Sequence, residues 1–172
     1  AEAGLAVSCW GAGTLLSGPL GGVLADRIGR RTTILVSLCF GGLGMIGLGK
    51  MGGNMAERLI HGGHRVVANA RTEESIRAAE AKGAEGARTL DEVVAKLKPP
   101  RVVWLMVPAG EVTESTLKNL LERLAPGDIL VDGGNSNYKD TIRRAAMVEA
   151  RGLQYVDCGT SGGIWGLTEG YS

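Results

Sequence analysis

The chain has 172 residues, 44% of them apolar and 22% charged, and carries a net charge of +1. Length and apolar content suffice for one packed core plus an appendage, which excludes a wholly disordered chain. With no like-charge run longer than Arg30-Arg31 or Arg143-Arg144, electrostatic capture of nucleic acid is excluded as well. Cys9, Cys39 and Cys158 are odd in number and lack metal-ligand spacing, so a reduced intracellular setting and no metal site are expected. Cys158 reads as a small residue beside a glycine-rich loop rather than as a reactive thiol.

In chain order, residues 3–25 contain no charged side chain. At about 1.5 Å per residue a helix of that length spans a bilayer core of about 30 Å, so this is a candidate membrane span. A signal peptide fits less well, because the only early charge is Glu2 and no basic stretch precedes the apolar part. The following Gly22-Val23-Leu24-Ala25-Asp26-Arg27-Ile28-Gly29-Arg30-Arg31 resembles the loop between the second and third membrane helices of major facilitator superfamily transporters, and the resemblance covers about residues 3–42. One helix and part of another cannot transport a solute. Residues 1–42 are therefore read as a fusion or join, a sticky apolar appendage, with a membrane-tethered nucleotide-binding module as the alternative. The location expected is cytoplasmic, with membrane association only if residues 3–42 insert.

From Leu43 the pattern changes. An apolar run leads into Gly47-Leu48-Gly49-Lys50-Met51-Gly52, which fits G-x-G-x-x-G. In that fingerprint the first glycine makes the turn, the second lets backbone approach a pyrophosphate, and the third lets helix and strand pack closely. Met51, Met55, Leu59 and Ile60 then follow at helical spacing until Gly62-Gly63. Residues 64–69 read as a second strand; His61 and His64 flank its turn, where the glycines break any metal-binding spacing. Residues 73–82 form a helix stopped by Gly83, and Thr89-Leu90-Asp91-Glu92 is a capping box opening a helix that ends before Pro99-Pro100. Residues 101–107 read as a buried strand, 111–124 as a helix, 128–132 as a strand, 139–151 as a helix, and 153–156 as the last strand.

Apolar strands alternating with helices imply an α/β fold with a doubly wound, mostly parallel, Rossmann-like sheet, preceded by the apolar helical segment. Residues 43–172 form its domain. Ligands in such folds sit at the carboxyl ends of strands, here the loops after residues 46, 69, 107, 132 and 157. In the second of these the sequence offers Asn69-Ala70-Arg71-Thr72. An enzyme selective for NAD usually places a carboxylate there, whereas a guanidinium and a hydroxyl suit a 2′-phosphate, so NADP is favoured over NAD.

Asp132-Gly133-Gly134-Asn135-Ser136-Asn137 and Gly159-Thr160-Ser161-Gly162-Gly163 resemble the paired signatures of decarboxylating 6-phosphogluconate dehydrogenases. With the glycine fingerprint, Arg71-Thr72 and Val107-Pro108-Ala109, the resemblance covers about residues 43–172. Ala70 departs from the family, which usually has Asp or Asn there. The resemblance implies that Gly47, Leu48, Gly49, Lys50, Met51, Gly52, Arg71, Thr72, Val107, Pro108, Ala109 and Asn135 bind the cofactor. It further implies that Asn135 also meets the sugar acid, and that Ser161, Gly162 and Gly163 hold the substrate carboxylate. Asp132 is given no role.

The family oxidises 6-phosphogluconate by hydride transfer to NADP and releases carbon dioxide to give ribulose 5-phosphate, in the pentose phosphate pathway. That chemistry needs an acid and a base. In the family these lie beyond the Ser-Gly-Gly loop, on a helical domain that also makes the homo-oligomer. The chain is thus expected to be a fragment, with a sugar-acid phosphate as ligand, no catalytic residue of its own and no activity alone. A 3-hydroxyacid dehydrogenase-type cofactor domain shares the fold and the glycine loops and stands as the alternative.

Overall fold

The computed structural model describes residues 41–163 and 165–171. The membrane-span and transporter-like expectations for residues 3–42 lie outside the described residues, apart from Gly41 and Gly42. Among the described residues no helix is long and apolar enough to cross a membrane.

Six strands form one sheet: β1 (Leu43–Ile46), β2 (Val66–Asn69), β3 (Glu85–Ala87), β4 (Val102–Leu105), β5 (Ile129–Asp132) and β6 (Gln154–Asp157). Their spatial order is β3-β2-β1-β4-β5-β6, and every pairing is parallel. Leu43 sits opposite both Val66 and Val102, which makes β1 the central strand, and all four of its residues are buried. The helices are α1 (Lys50–His61), α2 (Glu73–Glu80), α3 (Leu90–Lys96), α4 (Glu111–Leu121), α5 (Tyr138–Glu149) and the short α6 (Gly166–Glu169).

Alternation along each strand sends side chains to two cores. On one face Ile46, Val67, Val103, Leu105 and Leu130 pack with Val93, Leu117, Leu120 and Val148 of α3, α4 and α5. On the other, Leu43, Met45, Val66, Val102 and Val131 pack with Met55 and Ala56 of α1, while Ala68 meets Ala79 of α2. The parallel, two-faced α/β arrangement is therefore present. β3 was not among the expected strands: Glu85-Gly86-Ala87 has no β-branched or aromatic residue, and its strand character comes from pairing with β2. The expected strand over residues 101–107 ends at Leu105, so Met106 and Val107 lie in the following loop.

Caps set where the helices begin. Thr72 Oγ1 accepts from Ser75 N, and Thr89 Oγ1 accepts from Glu92 N at 3.1 Å. The return bond of the capping box shifts by one residue, since Glu92 Oε2 accepts from Arg88 N at 2.9 Å rather than from Thr89. Asn137 Oδ1 accepts from Lys139 N, starting α5 at Tyr138.

Between α4 and β5 the chain turns on a buried carboxylate. Asp128 accepts from Arg101 N at 2.7 Å, from Ala125 N at 2.9 Å and from Arg101 Nη1 at 3.0 Å. Its replacement orphans two backbone donors and a guanidinium together. Asp128→Ala is expected to cost about 3 kcal/mol, read as a lowered urea midpoint with unchanged slope.

Candidate functional site

The strand order reverses between β1 and β4, and a cleft of about 1340 Å³ opens at the carboxyl ends of the strands there. The loop after β1 forms its floor. Gly47 has φ +94°, and a Cβ on it would lie 2.3 Å from Met106 O. A Cβ on Gly52 would lie 2.0 Å from Gly47 O. Both glycines are thus demanded by the turn and by helix-to-strand packing.

Gly49 differs. Its φ of −63° suits any residue, and a Cβ there would meet nothing within 4 Å. Among the described residues nothing requires a glycine at this position, where α1 begins without a side-chain cap and without an acidic residue in its first turn. The free first-turn N–H groups and the open space above Gly49 fit an anionic group brought against the backbone.

Gly47, Leu48, Gly49, Met51 and Gly52 line the cleft, and Lys50 does not. At the β2 end Arg71 and Thr72 line it, joined by Asn69, Ala70, Ser75 and Leu90. Thr72 Oγ1 and Ser75 Oγ are 2.8 Å apart, so two hydroxyls meet at the start of α2, next to the cleft-lining Arg71. Glu73, next in the chain, is paired with Arg88 and Arg77. Hydrogen bonds from Arg88 first, and Arg77 second, hold its carboxyl below the usual carboxylate range.

After β4, Val107 and Pro108 line the cleft but Ala109 does not; Met106, Val112, Ser115 and Thr116 join them. After β5 and β6, Asn135 and Ser161 line it together with Gly133, Gly134, Gly159 and Thr160, whereas Gly162 and Gly163 lie outside. The helix α4 contribution was not legible in the sequence, because an apolar and hydroxyl face toward a cleft has the same period as one toward solvent. Burial pushes the Cys158 thiol up, with Asp157 adding to it. Among the described residues no group of His, Cys, Asp or Glu could hold a metal ion.

Adjacent strands lie about 4.8 Å apart, so the loops after β2 and β5, three strands apart, are separated by about 14 Å across the glycine turn. That span suits a dinucleotide laid with its pyrophosphate over α1. Beneath the β5 loop, Asp132, Ser136, Arg144, Tyr155 and Glu114 form a charged network.

Fold and cleft together define a Rossmann-type domain for NAD(P). A family profile described as the NAD binding domain of 6-phosphogluconate dehydrogenase matches residues 42–172. The chain belongs to that family. It is 44% identical over 130 residues to the NAD(+)-dependent decarboxylating 6-phosphogluconate dehydrogenase of Haloferax volcanii, a match covering 76% of this chain and 42% of the relative. Its structure is similar to that of Plasmodium falciparum 6-phosphogluconate dehydrogenase, solved in apo form and with NADP+ and substrate. The TM-score is 0.70 at 32% identity, covering 76% of this chain and 29% of that one. It is also similar to Mycobacterium tuberculosis 3-hydroxyisobutyrate dehydrogenase, with a TM-score of 0.67 at 29% identity over 72% of this chain and 42% of that chain. The matched region thus spans less than half the length of these relatives.

Two outcomes follow from the geometry. Gly49→Ala is expected to leave the melting temperature nearly unchanged yet weaken dinucleotide binding about ten-fold or more, whereas Gly47→Ala is expected to destabilise the fold itself by a few kcal/mol; calorimetric titration and thermal melting separate the two. The second concerns Glu114, whose carboxyl is held down to about 2, chiefly by the Arg143 hydrogen bond, with burial opposing and Arg144 reinforcing. Because folding lowers this pKa from 4.5, its stabilisation is full above that value and fades as pH falls toward about 2. Glu114→Gln is expected to lose about 1–2 kcal/mol near neutral pH and almost nothing near pH 2, which urea midpoints along an acid series will report.

Proposed function

We propose that residues 43–172 form the NADP-binding part of an oxidoreductase that oxidises and decarboxylates 6-phosphogluconate. The observation carrying the cofactor choice is the β2 end of the cleft, where Arg71, Thr72 and Ser75 all line the wall and no carboxylate is among the described lining residues. A 2′-phosphate there gains a planar guanidinium and the hydroxyl proton that the Thr72–Ser75 bond leaves free; a free 2′-hydroxyl leaves the guanidinium without an anion.

At the other end, Asn135 offers an amide that both donates and accepts, suited to the nicotinamide carboxamide and to a sugar hydroxyl. Ser161, the member of the Ser-Gly-Gly turn that lines the cleft, would hold the substrate carboxylate through its hydroxyl. A nicotinamide held there would supply the hydride acceptor, and the substrate hydroxyl proton would need a base. Arg71 is the single ionisable side chain among the described cleft-lining residues, and a guanidinium cannot serve as that base. The chain alone is therefore inferred to bind cofactor without turning over, the proton-moving groups coming from a further domain or chain.

A 3-hydroxyacid substrate is the second reading, favoured by the likeness to 3-hydroxyisobutyrate dehydrogenase at a TM-score of 0.67. The Asp132–Asn137 signature favours the sugar acid.

Calorimetric titration of the chain with NADP and NAD tests the cofactor assignment. NADP is expected to bind about ten-fold or more tightly, and Arg71→Ala to erase the difference by weakening NADP alone. Equal affinities, or a preference for NAD, would overturn it.

A further inference from the structure

The turn after β5 divides its polar side chains between two tasks. Asp132 ends the strand at 1% exposure. Its Oδ1 accepts from Gly134 N at 3.0 Å. Its Oδ2 accepts from Ser136 Oγ at 3.0 Å, from Arg144 Nη1 at 3.0 Å and from Tyr155 OH at 3.1 Å. Ser136 Oγ in turn accepts from Arg144 Nη1 at 2.7 Å, and the fully buried Arg144 donates from Nε to Glu114 Oε1 at 2.7 Å. Asn137 is committed to capping α5.

Backbone restraints complete the turn. Gly133 N donates to Leu105 O, and Gly133 O accepts from Thr160 Oγ1. A Cβ on Gly133 would lie 2.2 Å from Trp104 Nε1, so the loop is pressed onto β4. Every polar side chain from 132 to 137 except one is thereby tied to the protein. The exception is Asn135, exposed and facing the cleft.

We propose that Ser136 and Arg144, acting through Asp132, are positioning residues that hold the turn so that Asn135 is presented to the nicotinamide half of the bound dinucleotide. A buried charged cluster is a poor source of net stability, because removing two ions from water largely offsets their attraction. Its branched hydrogen bonds, Arg144 Nη1 to both Asp132 and Ser136 and Nε to Glu114, nevertheless fix directions that apolar packing leaves free. Arg144 reaches the turn from the second turn of α5 and Glu114 from the first turn of α4, so both helices are keyed to the position of one amide.

The proposal rests on the cleft taking NADP, and the test separates the two. The full chain, wild type or Ser136→Ala, is titrated with NADP and with 2′-phospho-ADP-ribose, which keeps the adenosine, 2′-phosphate and pyrophosphate but lacks nicotinamide. Ser136→Ala is expected to weaken NADP about five- to ten-fold, the value of one lost hydrogen bond, while changing the fragment less than about two-fold. Asn135→Ala is expected to give the same selective loss, and the double variant no further loss, since both changes remove one interaction. Arg144→Lys is expected to recover part of what Arg144→Met loses. Equal weakening of both ligands, or full additivity in the double variant, would overturn the positioning role and leave a merely structural network. Failure of the wild type to bind either ligand would instead overturn the NADP reading, and the proposal with it. If Arg144→Met does not fold, Ser136→Ala decides, because it deletes one hydroxyl and leaves the Arg144 to Asp132 pair in place.

Discussion

The approach of Gly52 to the carbonyl of Gly47 is the constraint on which the site depends. A Cβ at residue 52 would stand 2.0 Å from that oxygen, and one at 47 would stand 2.3 Å from Met106 O. Strand β1, helix α1 and the loop after β4 therefore meet at backbone distance, with no side chain between them. That closeness aims the start of α1 at the switch point, where the free N–H groups of its first turn face the cleft. It also brings Met106 and Val107 beside the glycine turn, joining the two halves of the sheet into one continuous floor.

Around this floor the two ends of the cleft are built by different means. The β2 end is a surface device: Arg71 and Thr72 are exposed, and Thr72 and Ser75 are held by a helix cap rather than by burial. The β5 end is supported from below by the buried carboxylate of Asp132 and the buried guanidinium of Arg144. A long flexible cation adapts to a phosphate and needs little preorganisation, because charge attraction acts over several ångströms. An amide that must meet another amide gains its energy only within a narrow range of distance and angle. The heavier scaffolding stands under the group with the stricter geometry.

Much of this was legible in the sequence, and the omissions have physical causes. The glycine fingerprint, the apolar runs of β1, β2, β4 and β5, and the Thr89 cap each announce themselves locally. β3 does not, because Glu85-Gly86-Ala87 is a strand through its neighbour β2 rather than through its own residues. The capping box at Thr89 was visible, but the shift of its return bond to Arg88 N depends on where Glu92 can reach in three dimensions. Asp132 read as an ordinary polar strand end, because its partners Arg144 and Tyr155 are 12 and 23 residues away and no periodicity links them. Lys50, Ala109, Gly162 and Gly163 belong to cleft-forming motifs without lining the cleft, since adjacent residues in a turn point in different directions.

The distribution of charge gives the architecture its logic. A dinucleotide phosphate brings several negative charges into a cleft whose lining residues include one cation, Arg71, and no carboxylate. Over the pyrophosphate position the donors are neutral N–H groups of a turn and a helix start, which favour any anion and so cannot tell one dinucleotide from another. Discrimination must then come from the end that holds a full charge. There Glu73, immediately after Thr72, is paired with Arg77 and Arg88, so its carboxylate is already compensated. Arg71 has no such pairing among the described residues. Its charge is left for the ligand, and on the proposed reading that one side chain would turn a general dinucleotide cleft into one that prefers a 2′-phosphate.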